Sequence, residues 1–229
     1  MRVNTKKLLA ASLVLNLILV IIGSVLVYRG HHRRLVRPYL RDYYRYKVDH
    51  YLTLRDQGAR IFFVGDSLTD RCEWAELFGR CDIASRGIDG DTSDGVLNRI
   101  GEVTARKPAK IFIMIGGNDF VIGRPVRTVL DNYRKIIGRI RTESPDTIIY
   151  IQSNLPTLYR LFPLPRNLMP ELNRGLKAMA DNRKIFFLDI YSRMADANGD
   201  LNKDYTIDGA HLNGRGYLVW RDAIRAYVH

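Results

Sequence analysis

Five short apolar runs, separated by stretches with helical spacing, constrain the fold of this chain more than any other feature. They cover residues 61–64, 81–85 (the weakest), 110–115, 147–152 and 184–190. A strand with one face in water alternates apolar and polar residues, whereas a parallel strand covered on both faces reads as a continuous apolar run. Between the runs, residues 70–78, 93–105, 126–142 and 169–182 carry helical spacing, and a last helix is expected over 213–228. Strands alternating with helices predict an α/β domain, with a five-stranded parallel sheet covered by helices on both faces. In such domains the chemistry gathers at the carboxyl ends of the strands.

The first part of the chain has a different character. Residues 8–27 carry no charge, and Ser12, Asn16, Gly23 and Ser24 are the only breaks in an otherwise apolar run. Twenty such residues span a bilayer core of ~30 Å as a helix. A cleaved signal peptide has a shorter apolar stretch and a small-residue cleavage site, so an uncleaved anchor over 1–28 is expected. Residues 29–57 are basic and tyrosine-rich. Leu35, Tyr39, Tyr43, Tyr46 and His50 fall three and four apart, which predicts a juxtamembrane helix with that face either on lipid headgroups or on the following domain. Residues 1–56 hold eleven Lys/Arg and three Asp, so +8 of the net +12 lies there. That asymmetry points to an anionic membrane surface as partner and not to nucleic acid. Counting Arg29, Arg33, Arg34, Arg37 and Arg41 against Arg2, Lys6 and Lys7 leans towards a cytoplasmic folded domain, residues 58–229, but both flanks are basic and the side stays open. Cys72 and Cys81 are the two cysteines, and they have no metal-ligand spacing. They fit a disulfide or two free thiols.

Four segments carry chemistry: Gly65-Asp66-Ser67-Leu68, Gly87-Ile88-Asp89-Gly90-Asp91, Gly116-Gly117-Asn118-Asp119 and Asp208-Gly209-Ala210-His211. Taken singly, each has an ordinary structural explanation. Ser67 is a good helix cap, and Asn118 suits a strand-end turn. Taken together, they supply a nucleophile, two oxyanion donors and an acid–base pair. Asp208 lies three residues before His211, close enough to bond one imidazole nitrogen and leave the other for the Ser67 proton. Asn118 and the Gly90 N–H can donate to an oxyanion. The Gly-x-Ser-x-Gly elbow of α/β-hydrolases is absent, because Thr69 stands at its second glycine.

This set of motifs resembles the SGNH, or GDSL, hydrolase family over about residues 59–229. By position the resemblance makes Ser67 the nucleophile, Asp208 and His211 its partners, Ser67 N–H, Gly90 and Asn118 the oxyanion hole, and Gly87 structural. The Gly-Asp-Thr stretch followed by Val96-Leu97-Asn98-Arg99 is most similar to the platelet-activating-factor acetylhydrolase and bacterial lysophospholipase/thioesterase branch. The resemblance implies a flavodoxin-like three-layer fold and esterase or lipase-like activity without metal or cofactor. The anchor is not part of it.

Residues 154–170 are apolar and proline-rich and follow the fourth strand. They are read either as an acyl-binding wall, with Leu158, Leu161 and Phe162 as substrate contacts, or as a loop packed on the core. Tyr205 and Trp220 are expected to be packing residues. The expected function is a membrane-anchored serine esterase acting on lipid or thioester acyl groups. The alternatives are a carbohydrate O-acetyl esterase or acetyltransferase, and a membrane-tethered binding module without activity.

Overall fold

The computed structural model describes residues 5–54 and 58–229. The chain forms two compact units, Met1–Arg45 and Tyr46–His229. A single helix, α1 (Thr5–Thr53), replaces the separate anchor and juxtamembrane helices expected from sequence, and its last residues belong to the second unit. Among the described residues no helix is long and apolar enough to cross a membrane. The side chains of Leu8, Ala10, Ala11 and Leu26, which fall inside the expected anchor, lie outside the described set. In the second unit the inward face of α1 is not the expected tyrosine stripe. Tyr46 and His50 are exposed, and Tyr51 is buried.

The second unit is built on a parallel sheet of β1 (Ile61–Gly65), β2 (Ile83–Gly87), β3 (Lys110–Met114), β4 (Ile148–Gln152) and β5 (Ile185–Leu188), in the order β2-β1-β3-β4-β5. The helices are α2 (Ser67–Asp70), α3 (Trp74–Phe78), α4 (Ser93–Thr104), α5 (Gly117–Val121), α6 (Val126–Glu143), α7 (Leu168–Lys177), α8 (Tyr191–Met194) and α9 (Gly214–Val228). This strand order is the flavodoxin-like one, with its direction reversing between β1 and β3. The unbroken apolar runs have a simple cause. Phe62, Val64, Ile111, Ile113, Ile149 and Ile151 enter one core with residues of α4, α6 and α7. Ile61, Phe63, Phe112, Met114 and Tyr150 enter a second core with residues of α3 and α9. Trp74 stacks on Phe63 at 4.0 Å and meets Trp220 edge-on at 5.0 Å. Trp220 is fully buried and donates Nε1–H to Gln152 Oε1 at 2.7 Å, so it is a packing residue as expected. Cys72 is buried and Cys81 exposed, and both are free thiols.

The sheet register puts three strand ends level: Gly65 of β1 lies opposite Gly87 of β2 and Met114 of β3. The chain turns at β1 through Asp66, whose carboxylate accepts the Leu68 N–H at 3.1 Å and caps α2. The helix expected over 70–78 therefore starts earlier, at Ser67, and breaks at Arg71–Glu73 into α2 and α3. Burial pushes the Asp66 carboxyl up to about 7, the carboxylates of Asp91, Asp89 and Asp119 adding to the rise and the Leu68 N–H opposing it. The folded state thus keeps the Asp66 proton where the unfolded chain, at the ordinary 3.8, has lost it. Stability must then fall as pH rises through that window, by at most about 1.4 kcal/mol per unit, and level off above it. Asp66→Asn keeps an acceptor for the cap and has no proton to lose. Urea unfolding from pH 4 to 8 is expected to show the variant gaining on wild type up to about pH 7, with a constant gap beyond. Parallel curves would free Asp66 of this role.

Candidate active site

The level strand ends bring three of the four motifs to one edge of the sheet, and the loop before α9 brings the fourth. Ser67 is the first residue of α2, 7% exposed, and its Oγ lies 3.0 Å from His211 Nε2. His211 Nδ1 lies 2.6 Å from Asp208 Oδ2. The other Asp208 oxygen accepts the backbone N–H groups of Ala210 and His211 at 2.9 and 2.8 Å. Partial burial works to raise the Asp208 pKa, but these bonds outweigh it and bring the carboxyl down to about 2. It is a carboxylate at any ordinary pH.

The loop carrying this pair is closed on itself. Thr206 and Leu212 form an antiparallel bridge. Thr206 Oγ1 donates to His211 O at 2.7 Å and accepts the Gly209 N–H at 2.9 Å. The α9 helix starts at once, capped by Asn213, and Tyr217 Oη donates to Leu68 O at 2.9 Å, which ties α9 to the turn holding Ser67. Thr206 and Tyr217 were not singled out from sequence. Neither lies in a recognisable spacing, and both act through backbone partners.

The donors fall into place around Ser67. Gly87 packs so closely on α2 that a Cβ there would stand 2.1 Å from Asp70 N, which makes it structural, as expected. Gly90 has φ +75°, a left-handed conformation suited to glycine. Among the described residues, the N–H groups of Ser67 and Gly90 donate to no protein acceptor. Asn118 Nδ2 donates one hydrogen to Asp91 O at 2.9 Å, which fixes the amide and leaves its second N–H available.

A buried ion pair and a buried carboxylate lie beside these donors, and neither role was read from the sequence. Arg99 pairs with Asp91 at 2.8 Å, with the side chains 3% and 2% exposed, and also donates to Gly65 O at 3.0 Å. Burial pushes the Asp91 pKa up, against the pull of Arg99. Asp119, fully buried, accepts Ser93 N–H and Ser93 Oγ–H at 2.8 Å each and an Arg124 N–H at 3.1 Å. The one sequence signal was a charge inside an apolar stripe: Arg99 stands among Val96, Ile100 and Val103 on the buried side of α4.

The candidate substrate residues separate. Leu158 is half-buried and packs against the second core. Leu161 is 53% exposed, and its Cβ lies 2.7 Å from where a Gly209 Cβ would stand. Phe162 is half-buried in the same turn. Leu158 N–H donates to Gly209 O at 2.8 Å, so residues 158–162 lie against the loop that carries Asp208 and His211.

Comparison with known proteins places the chain in a family. The GDSL-like Lipase/Acylhydrolase family profile matches residues 63–219. The platelet-activating factor acetylhydrolase IB subunit alpha2 of Homo sapiens is 28% identical over 173 residues, covering 72% of this chain and 74% of its own. A GDSL-like lipase from Bacteroides thetaiotaomicron superposes with a TM-score of 0.69 at 25% identity, covering 81% of this chain and 96% of that one. A carbohydrate esterase family 3 protein from Talaromyces cellulolyticus shares the fold, with a TM-score of 0.57 at 17% identity over 73% of this chain and 95% of its own. With this profile spanning both cores and reaching from β1 into α9, the chain belongs to the GDSL-like lipase/acylhydrolase family and is a hydrolase of ester bonds.

Proposed function

We propose that the protein cleaves carboxylic esters through Ser67, His211 and Asp208. Ser67 Oγ attacks the ester carbonyl carbon as its proton passes to His211 Nε2. Asp208 accepts a hydrogen bond from Nδ1–H, holding the tautomer and stabilising the imidazolium. The negative oxygen of the tetrahedral intermediate takes hydrogen bonds from Ser67 N–H, Gly90 N–H and Asn118. Collapse breaks the bond to the alcohol, which leaves with the proton from Nε2, and an acyl-Ser67 remains. Water then repeats the sequence and releases the acid. The observation that carries this reading is the unbroken chain from Ser67 Oγ to His211 at 3.0 Å and on to Asp208 at 2.6 Å. A fluorophosphonate is expected to label Ser67 in wild type and nothing in Ser67→Ala. Ser67→Ala and His211→Ala should each keep only trace turnover, and Asn118→Ala should lose about 10²–10³ in kcat. Full turnover in Ser67→Ala would overturn the assignment.

For the acyl group, exposed Leu161 and half-buried Phe162 beside the His211 loop support a lipid or thioester acyl chain, each buried methylene adding about 0.8 kcal/mol. A second reading, a short acetyl ester of a lipid or sugar, draws support from relatives named as acetylhydrolases. The value of kcat/KM across p-nitrophenyl esters from acetate to palmitate separates the two. The first reading expects a maximum beyond butyrate that shifts towards acetate when Leu161 and Phe162 become Ser. A maximum at acetate in both proteins selects the second.

We further propose that residues 8–27 anchor the protein in a membrane, with the flanking basic residues on the anionic surface and the hydrolase domain on the cytoplasmic side. Support comes from the absence of charge in that run and from large apolar side chains exposed along α1, among them Leu13, Leu17, Val20 and Val27. The full-length protein is expected in a carbonate-resistant membrane pellet, and the chain lacking residues 1–28 in the soluble fraction with activity retained. Full-length protein in the soluble pool would end the anchor proposal, and thiol labelling at Arg33→Cys reports the side of the membrane.

A further inference from the structure

The last turns of α1 make two contacts, one part-buried and one buried, with the ends of α2 and β2 beside Ser67 and Gly90. Lys47 Nζ pairs with Asp70 Oδ1 at 2.6 Å, the side chains being 18% and 9% exposed. Asp70 ends α2, and its second carboxylate oxygen accepts the N–H of Asp89, the neighbour of Gly90, at 3.2 Å. Tyr51 is one turn beyond Lys47 on the same helix face. It is 6% exposed, and its Oη donates to Gly87 O at 2.6 Å, at the point where β2 gives way to the oxyanion loop.

The contacts are themselves braced. The Arg86 guanidinium lies 4.6 Å from the centre of the Tyr51 ring and 5.1 Å from that of Phe62, and it pairs with Glu102. Arg106 donates to Tyr51 O and Leu54 O at 3.0 and 2.9 Å, closing the carboxyl end of the helix. Burial works against the Lys47 charge, but Asp70 and Tyr51 outweigh it and hold the ammonium protonated. None of Lys47, Tyr51 or the rest of α1 lies within the family-matched residues 63–219.

An oxyanion hole works only if its donors meet one oxygen within hydrogen-bond reach. Here two of them sit on loops from different strands. Those loops are joined directly where Ile88 N–H meets Gly65 O at 3.1 Å, and Gly90 lies two residues beyond that tie. The chain Lys47–Asp70–Asp89 and the Tyr51 bond to Gly87 fix the remainder.

We propose that Lys47 and Tyr51 are positioning residues, which hold the Gly90 N–H in register with Ser67 from the end of α1. The inference rests on the Ser67 mechanism proposed above. The test uses the full-length chain in detergent, with active sites counted by saturating fluorophosphonate and kcat expressed per counted site on p-nitrophenyl acetate. Per site, kcat is expected to fall about ten-fold in Lys47→Met and about three-fold in Tyr51→Phe, since small misplacements of reacting groups are costly. KM should move by less than about two-fold, as expected for an interaction made in the transition state. Lys47→Arg should recover most of the loss. A merely structural role would lower the number of labelled sites and the unfolding temperature and leave kcat per site unchanged. That result overturns the proposal, and Tyr51→Phe, which removes a single oxygen, decides it if Lys47→Met does not fold. Failure of wild type to label at Ser67 would instead overturn the esterase reading, and this inference with it.

Discussion

A buried guanidinium, that of Arg99, joins the two halves of the site. It reaches from α4 to Asp91 on one side and to Gly65 O on the other, and so links the loop after β2 to the end of β1. Taking both charges out of water is costly, and such a pair adds little stability over well-packed apolar residues. Its effect lies in specificity: with Asp91 buried, any arrangement of the loop that separates it from Arg99 leaves a carboxylate without a partner. The Asp91 carbonyl in turn takes a hydrogen from Asn118, so one ion pair orients donors from two strand ends.

The sheet does the rest with little side-chain chemistry. Parallel register sets Gly65, Gly87 and Met114 level, and the chain leaves each of these strands toward the same edge. Ser67, Gly90 and Asn118 each follow a strand end by a few residues. Their separation therefore depends on strand spacing and on the short ties between loops, and not on long side chains that would have to be ordered separately.

The sequence made the strands and motifs legible for a shared reason. In β1, β3 and β4 the apolar residues face one core or the other, so the pattern survives as an unbroken apolar run, and three of the four motifs sit where a strand ends. What escaped was set by partners distant in sequence. Lys47 lies in a segment so basic that its charge reads as surface, and only Asp70, brought in by the fold, makes it part of a half-buried ion pair. The inward face of α1 beyond Tyr46 misses the tyrosine stripe, because Gly87 and Asp70 are what that face meets. The break of the expected 70–78 helix follows from the Asp66 cap, which starts α2 early. Leu158 packs against the core that includes residues of α3 and α9, a contact that its place in an apolar loop does not reveal.

The contact between residues 158–162 and Gly209 has a consequence for how such an enzyme diversifies. The turn proposed to face an acyl chain is hydrogen-bonded to the loop that carries the proposed general base, through Leu158 N–H and Gly209 O. Selectivity and proton transfer are therefore not separate modules here. A lineage that reshapes this turn for a new acyl group also shifts His211 relative to Ser67, and must recover rate by compensating changes elsewhere. Substrate range in this chain should then drift through paired substitutions across the two loops, and single replacements in the wall should seldom be neutral for turnover.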